Sequence, residues 1–201
     1  MNRRKTFNLT IISAIALLIS FAACDDNNNY FNIKEAIAAE QELLERYYDE
    51  EMDNNLSRLD STTAVAIDTV DHRFESGMML YHTHIGEGDS IGAYKTVGFR
   101  YTNYAIGLTN DTIIIENDTI VNEVTREFAR ESNIYSNTPF TFTTYPVGGV
   151  PAASSNVYAG VNEAIMHMRL FGKAKVVMPS SLADNQYQPH VFEIEVTSVR
   201  R

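Results

Sequence analysis

Two histidines, His82 and His84, stand two apart in an otherwise apolar run. Alternate residues of a strand share a face, so a His-x-His pair can present two metal ligands together. No third ligand accompanies them, and His72, His167 and His190 are scattered along the chain. Exposed strand histidines are the plainer reading, and no metal is expected. Glu35, Glu40, Glu42, Glu45, Glu50 and Glu51 crowd one segment. They lack the Asp-x-Asp loop with a Gly turn that collects calcium, and read as a solvated helix face. There is no phosphate-cradling glycine motif and no Gly-x-Ser-x-Gly elbow. The only cysteine, Cys24, excludes both a disulfide framework and a thiolate zinc cage within one chain. No cofactor is therefore expected. What remains is a large aromatic complement, 11 Tyr and 10 Phe without a single Trp, which can build an apolar pocket.

Those side chains need a scaffold. With 201 residues, 44% hydrophobic and 21% charged, the chain can bury a core of about one domain. A net charge of −10 argues against a sequence-independent nucleic-acid binder, which needs clustered cations to displace counterions from phosphates. Residues 33–53 read as a helix, with Ile33, Ile37, Leu44, Tyr48 and Met52 on one stripe. That stripe can pack on the chain's own domain, or on a second copy to give a homodimer; its own domain is the favoured reading.

A polar linker follows over 54–76, with one short strand near 64–70. Strands are expected at 78–85, 95–108, 112–115, 119–124, 139–144, 173–178 and 191–199. Gly86-Glu87-Gly88-Asp89 closes the first, and Glu116-Asn117-Asp118 makes a hairpin of the third and fourth. A polar connection leads on to Pro139. A helix over 157–170 shows Val157, Val161, Ala164, Ile165 and Met168 on its apolar face. Ser154, Ser155 and Asn156 offer capping oxygens and Gly172 a stop. Many antiparallel strands with one late helix make an α+β domain.

The N-terminus stands apart. Arg3-Arg4-Lys5 precede an apolar run over 9–23 that ends in Ala22-Ala23, immediately before Cys24. This is the pattern of a secretory signal, and the run is shorter than the roughly 20 apolar residues of a membrane span. The position of Cys24 resembles a bacterial lipobox, in which the cysteine is acylated and becomes the first mature residue. Asp25-Asp26 behind it resemble the surface-export signal of Bacteroidetes lipoproteins; a solvated tether explains them equally well. Cleavage would remove 23 of 201 residues, three of them basic and none acidic, taking the net charge from −10 to −13. Anionic lipid does not attract such a surface, so the anchor is the acyl chain. The implied location is the cell envelope, periplasmic or surface-exposed. Four triplets, at Asp68, Asp89, Asp111 and Asp118, resemble the O-glycosylation acceptor of exported Bacteroidetes proteins.

Residues 77–201 carry a further resemblance. Arg100-Tyr101-Thr102, Pro139-Phe140-Thr141-Phe142, Val157-Tyr158-Ala159-Gly160, Gly172-Lys173-Ala174-Lys175, Pro179-Ser180-Ser181-Leu182-Ala183 and Phe192-Glu193-Ile194-Glu195-Val196 follow in order. Their order and spacing resemble FKBP-type (immunophilin) peptidyl-prolyl cis-trans isomerases, and the whole layout resembles the Bacteroidetes lipoprotein members. The resemblance implies an FKBP-like twisted antiparallel sheet wrapped around one helix, preceded by a separate N-terminal helix. The implied organisation is a signal peptide over 1–23, a tether over 24–32, helix and linker over 33–76, and the domain over 77–201. It implies proline-containing polypeptides as partners, and a pocket walled by Tyr101, Phe140, Val157, Tyr158 and Phe192. The family usually has Trp where Val161 stands, Tyr-Gly where Asp184-Asn185 follow Leu182-Ala183, and a Phe-Asp pair where Phe128 is followed by Ala129. These departures open a second reading, a catalytically degenerate module that binds peptides or a partner without turnover.

The acylation reading makes a direct prediction. Cys24→Ala should move the protein from the membrane fraction to the soluble fraction; continued membrane retention would contradict it.

Overall fold

The computed structural model describes residues 32–56, 68–115, 118–151 and 156–200. The signal segment, Cys24, the tether to residue 31 and most of the linker lie outside them. Helix α1 spans Ile33–Leu56. Seven strands follow: β1 Asp68–His72, β2 Met78–His84, β3 Thr96–Ile115, β4 Asp118–Ser132, β5 Phe140–Thr143, β6 Lys173–Met178 and β7 His190–Arg200. Helix α2, Ala159–His167, separates β5 from β6, and a 3-10 turn, Ser180–Leu182, follows β6. The strands form one antiparallel sheet in the order β1-β2-β6-β7-β3-β4, with β5 on the N-terminal half of β3. Lys34–Arg201 is a single compact unit. Among the described residues no helix is long and apolar enough to cross a membrane.

Both faces of the sheet centre are buried. Met78, Met79, Leu80 and Tyr81 are consecutive and all buried, as are Ala174 to Met178. A strand covered on both faces reads as a continuous apolar run rather than an alternating one. Met78, Leu80, Val176, Met178, Phe192, Ile194 and Val196 cluster with Val161, Ala164 and Ile165 of α2. Met79, Tyr81, Ile106, Val177 and Val191 cluster with Tyr47 of α1. The fold is therefore α+β in three layers, α1, sheet and α2. The antiparallel sheet, the helix against it and the separate first helix are those expected from sequence.

Helix α1 does pack on its own chain, and Leu44 and Tyr48 of the expected stripe face inward, but its N-terminal members do not. Ile33 and Ile37 are exposed, while Tyr47 is only 1% exposed and Glu40 7%. The helix follows polar partners as well as apolar ones. Arg46 Nη1 donates to Glu123 at 3.0 Å, and the Thr125 amide donates to Glu50 at 3.2 Å. The Tyr47 hydroxyl donates to Glu127, which also pairs with the buried ammonium of Lys175. Glu40 accepts from the Ser180 amide, and from its hydroxyl at 2.9 Å. A buried carboxylate needs such donors, and these rotate the helix so that Glu40, Leu43, Leu44, Tyr47 and Tyr48 face inward.

Other expectations shift. β3 runs on to Ile115 and β4 to Ser132, so the supposed polar connection is mostly strand. Cross-strand hydrogen bonds hold this ribbon together without an apolar run to advertise it. The linker strand is seen at 68–72 and shares residues 68–70 with the expected 64–70, of which 64–67 lie outside the described residues. α2 is only nine residues long; its N-cap is Tyr158, with no side-chain cap, so Asn156 does not cap it. It stops at Met168, which is extended, rather than at Gly172. There the Met168 carbonyl accepts from the Ile91 amide at 2.9 Å instead of continuing the helix. Gly160 has a packing reason: a Cβ there would lie 2.4 Å from Met178 Sδ, so any larger residue would displace the buried Met178 side chain where the first turn of α2 meets β6.

Truncation of Tyr47 tests the α1 interface. Tyr47→Ala should lower the unfolding free energy by about 3–5 kcal/mol, the usual cost of deleting a buried aromatic. A change below about 1 kcal/mol in urea denaturation would mean that α1 does not pack this way.

Candidate functional site

Alternation along β3 aims Val97, Phe99 and Tyr101 at the α2 side of the sheet. β5 lies beside this half of β3 and contributes Phe140, paired with Phe99. β7 lies on the other side and contributes Phe192. The rings form a continuous arc. Phe99 is 5.4 Å from Phe140 and 5.6 Å from Tyr101, centroid to centroid. Phe192 is 5.8 Å from both Tyr101 and Tyr158. Such pairs contribute about 0.5–1.5 kcal/mol each beyond their buried area, so the wall is held in shape by its own contacts.

The arc encloses a cavity of about 530 Å³ lined by Phe99, Tyr101, Glu131, Phe140, Asn156, Val157, Tyr158, Val161 and Phe192. All six residues expected to wall a pocket, Tyr101, Phe140, Val157, Tyr158, Val161 and Phe192, therefore meet in one place. Val157 and Tyr158 belong to the extended segment entering α2, and Val161, 1% exposed, to its first turn. Asn162, the next residue, anchors this corner. Its side chain accepts from the Tyr145 amide at 3.0 Å and donates to the Tyr145 carbonyl at 2.9 Å. One buried amide thus ties the helix to the segment after β5.

Three wall residues escaped the sequence reading. Phe99 is two before Tyr101 on the same strand face, and the alternation alone could have found it. Asn156 had been read only as a cap. Glu131 is the informative miss. No acidic residue follows Phe128, where Ala129 stands, yet a carboxylate three residues beyond Phe128 lines the cavity. The Tyr101 hydroxyl donates to Glu131 Oε1 at 3.2 Å. The cause is a bulge in β4: Asn103 pairs with Glu131 but Tyr104 with Ala129, leaving Arg130 unpaired. A bulge re-aims neighbouring side chains. Here it sends Glu131 to the cavity and Arg130 to Asp184, at 3.1 Å, and to Gln188.

Asp184 is tied down from several sides. It meets Arg130, lies 3.2 Å from His190 Nε2, and accepts from the Gln186 amide at 3.0 Å. Burial pushes its carboxyl up, but the Gln186 amide, His190 and Arg130 together hold it below the ordinary carboxylate value. Burial pushes the Tyr101 phenol up, and Glu131 adds to this. Burial also raises Tyr158, helped by Asp184 and Glu131. Both hydroxyls stay protonated at neutral pH, and that of Tyr101 donates to Glu131. His190 is fully buried between Tyr158, Phe192 and Asn103; burial holds it below the ordinary histidine value against the pull of Asp184. Among the described residues the site holds aromatic walls and hydroxyl groups, and no nucleophile paired with a base.

His82 and His84 do not act as a pair. The β2–β6 register shifts between them, leaving His82 buried at 4% exposure and His84 exposed.

No family model matches the chain, and no curated protein matches it. Solved structures do resemble it. The crystal structure of FkpA from Escherichia coli shares 16% identity, with a TM-score of 0.49, over 98% of this chain and 73% of that one. A peptidyl-prolyl cis-trans isomerase from Pseudomonas syringae pv. tomato shares 16% identity, with a TM-score of 0.49, over 85% of this chain and 97% of that one. The N-terminal domain of FKBP42 from Arabidopsis thaliana shares 13% identity, with a TM-score of 0.47, over 68% of this chain and 95% of that one.

The buried histidines beside and beyond this site predict a pH response. Burial lowers His82, His167 and His190 in the folded state. The unfolded chain therefore takes up protons first as pH falls, and stability declines below about pH 6.5, the ordinary histidine value. Urea denaturation between pH 7.5 and 5.5 should show this decline, and His190→Gln should make it shallower. An identical slope in that variant would refute the assignment to His190.

Proposed function

We propose that this chain binds X–Pro segments of polypeptides in the aromatic cavity and accelerates their cis-trans isomerisation, as FKBP-type isomerases do. The observation that carries the reading is the cavity itself: five aromatic rings and two valines around about 530 Å³, with tyrosine hydroxyls among them. The volume falls in the range of small-ligand pockets, about 300–1,000 Å³. The reaction asks for no nucleophile and no metal. The amide barrier of about 18–20 kcal/mol comes from resonance that makes the C–N bond partly double. Moving the imide from water into an apolar pocket disfavours its charge-separated planar form, so twisting costs less. Proline fits against rings without a polar group to satisfy, and a protonated Tyr hydroxyl can meet a substrate carbonyl.

Cys24 acylation would place this activity in the cell envelope, on exported chains that are folding. Each buried methylene of an acyl chain contributes about 0.8 kcal/mol, so more than one chain on the cysteine would hold the protein stably on the membrane. The support for this part is the order of Arg3-Arg4-Lys5, the apolar run and the lone cysteine.

A second reading has one specific observation behind it. Asp184, where the resemblance puts a tyrosine, is committed to Arg130, His190 and Gln186 and does not line the cavity. With Val161 at the floor as well, the cavity keeps its binding wall but lacks two groups of the usual set. A module that binds proline-containing segments without turning them over would look the same.

A protease-coupled assay on proline peptides, varied at the residue before Pro, separates the two. Isomerisation above background at micromolar protein is expected, and Phe140→Ala should lower kcat/KM about tenfold or more, matching roughly 1.5–3 kcal/mol of lost apolar contact. Peptide binding without acceleration would favour the second reading. Neither binding nor acceleration would reject both.

A further inference from the structure

On another side of α2 from the aromatic cavity, β1 and α2 bring together residues that are 91 to 95 positions apart in sequence. His72 ends β1, and Glu163 and His167 stand four apart on α2, a spacing that puts both on one helix face. One ligand atom from each of the three lies within 4.8 Å of the others. His72 Nδ1 is 2.8 Å from Glu163 Oε1, and the two imidazoles lie 5.1 Å apart, edge to face. Glu163 is buried, at 3% exposure, and the histidines are half-buried. All three line a second cavity of about 570 Å³, together with Ser76, Ser90 and Met166.

We propose that His72, Glu163 and His167 form a binding site for a divalent transition-metal ion of the zinc class.

Two imidazoles and one carboxylate are a donor set of catalytic-type zinc sites, which keep a fourth position open. The imidazoles argue against calcium and magnesium, which prefer all-oxygen shells. Bond lengths of about 2.0–2.2 Å in tetrahedral geometry put ligand atoms about 3.3–3.5 Å apart. The observed cluster brackets that spacing, from 2.8 Å for the His72–Glu163 contact up to 4.8 Å. Side-chain adjustment brings it to the bound geometry, with the ion taking the place of the direct His72–Glu163 contact. The Ser76 hydroxyl donates to the same oxygen, Glu163 Oε1, at 2.9 Å and orients the carboxylate, as outer partners of metal ligands do. Burial, reinforced by neighbouring His72, favours the neutral form of His167, the form that offers a lone pair. The fourth position faces the cavity, where it takes water or an external donor. A bound ion would link the edge strand β1 to α2, the helix that also supplies Val161 to the aromatic cavity.

The test uses the full chain, freed of metal by chelation and titrated with zinc chloride in a calorimeter. One saturable site per chain at micromolar affinity or tighter is expected. His72→Ala and His167→Ala should each weaken it about tenfold or more, while His84→Ala leaves it unchanged. Glu163→Gln keeps the volume and the Ser76 contact, removes the charge, and should weaken it too. Circular dichroism of each metal-free variant confirms folding. Independently of any variant, cobalt(II) should shift the ring protons of His72 and His167 before those of the other histidines. Failure to saturate below about 1 mM zinc, affinity indifferent to all three ligand substitutions, or cobalt shifts led by another histidine would each overturn the site.

Discussion

One strand governs the aromatic cavity. β3 is hydrogen-bonded to β7 along one edge and to β5 and then β4 along the other. Its alternation decides that Phe99 and Tyr101 share a face, and its partners deliver Phe140 and Phe192 to the same face. A one-residue slip of β3 would turn Phe99 and Tyr101 to the opposite side, away from Phe140 and Phe192. The β4 bulge at Arg130 is the exception that the site requires. Without the extra residue, Glu131 and Arg130 would follow plain alternation and could not serve the Tyr101 hydroxyl and Asp184 as they do.

The same sheet is loaded on both faces, and the two loads are chemically different. The α2 side is apolar and aromatic, with one amide, Asn162, making the decisive polar contacts. The α1 side mixes apolar burial with charge: Tyr47, Glu127 and Lys175 meet beneath the helix, and Glu40 reaches Ser180. Breaking a buried charge pair by removing one partner usually costs several kcal/mol, even where the intact pair adds little. Such contacts act mainly as registry devices. They fix how α1 sits, and through Ser180 they reach the segment from Pro179 to Ala183 that borders the entry to α2.

Most strands were legible because their residues are β-branched or aromatic and bounded by Gly, Pro or Asp. The ends of β3 and β4 were not. Thr109-Asn110-Asp111 and the polar residues from Thr125 to Ser132 read as connections, and cross-strand pairing keeps them in a ribbon. The N-terminal part of α1 departs from its apolar stripe for a similar reason. Ile33 and Ile37 carry more hydrophobicity than Glu40, but hydrogen bonds to Ser180 outweigh the difference. The six wall residues were named from their order along the chain, while Phe99, Asn156 and Glu131 needed coordinates.

Taken alone, the sequence determined the α+β class, the aromatic supply, the absence of a nucleophile motif and the residues around which a pocket forms. The first three follow from local composition and from period-two alternation, which need no knowledge of what lies across the sheet; the pocket residues follow from the resemblance in the order of motifs along the chain. Tertiary structure decided everything that depends on distant partners. It rotated α1 onto Tyr47, used a bulge to bring Glu131 to Tyr101, and split the His82–His84 pair with another bulge. It also placed His72 beside Glu163 and His167, three residues that carry no signal in the chain. The physical reason is common to all four: register and burial are set by whole-sheet pairing, and a single strand does not encode where its bulges fall.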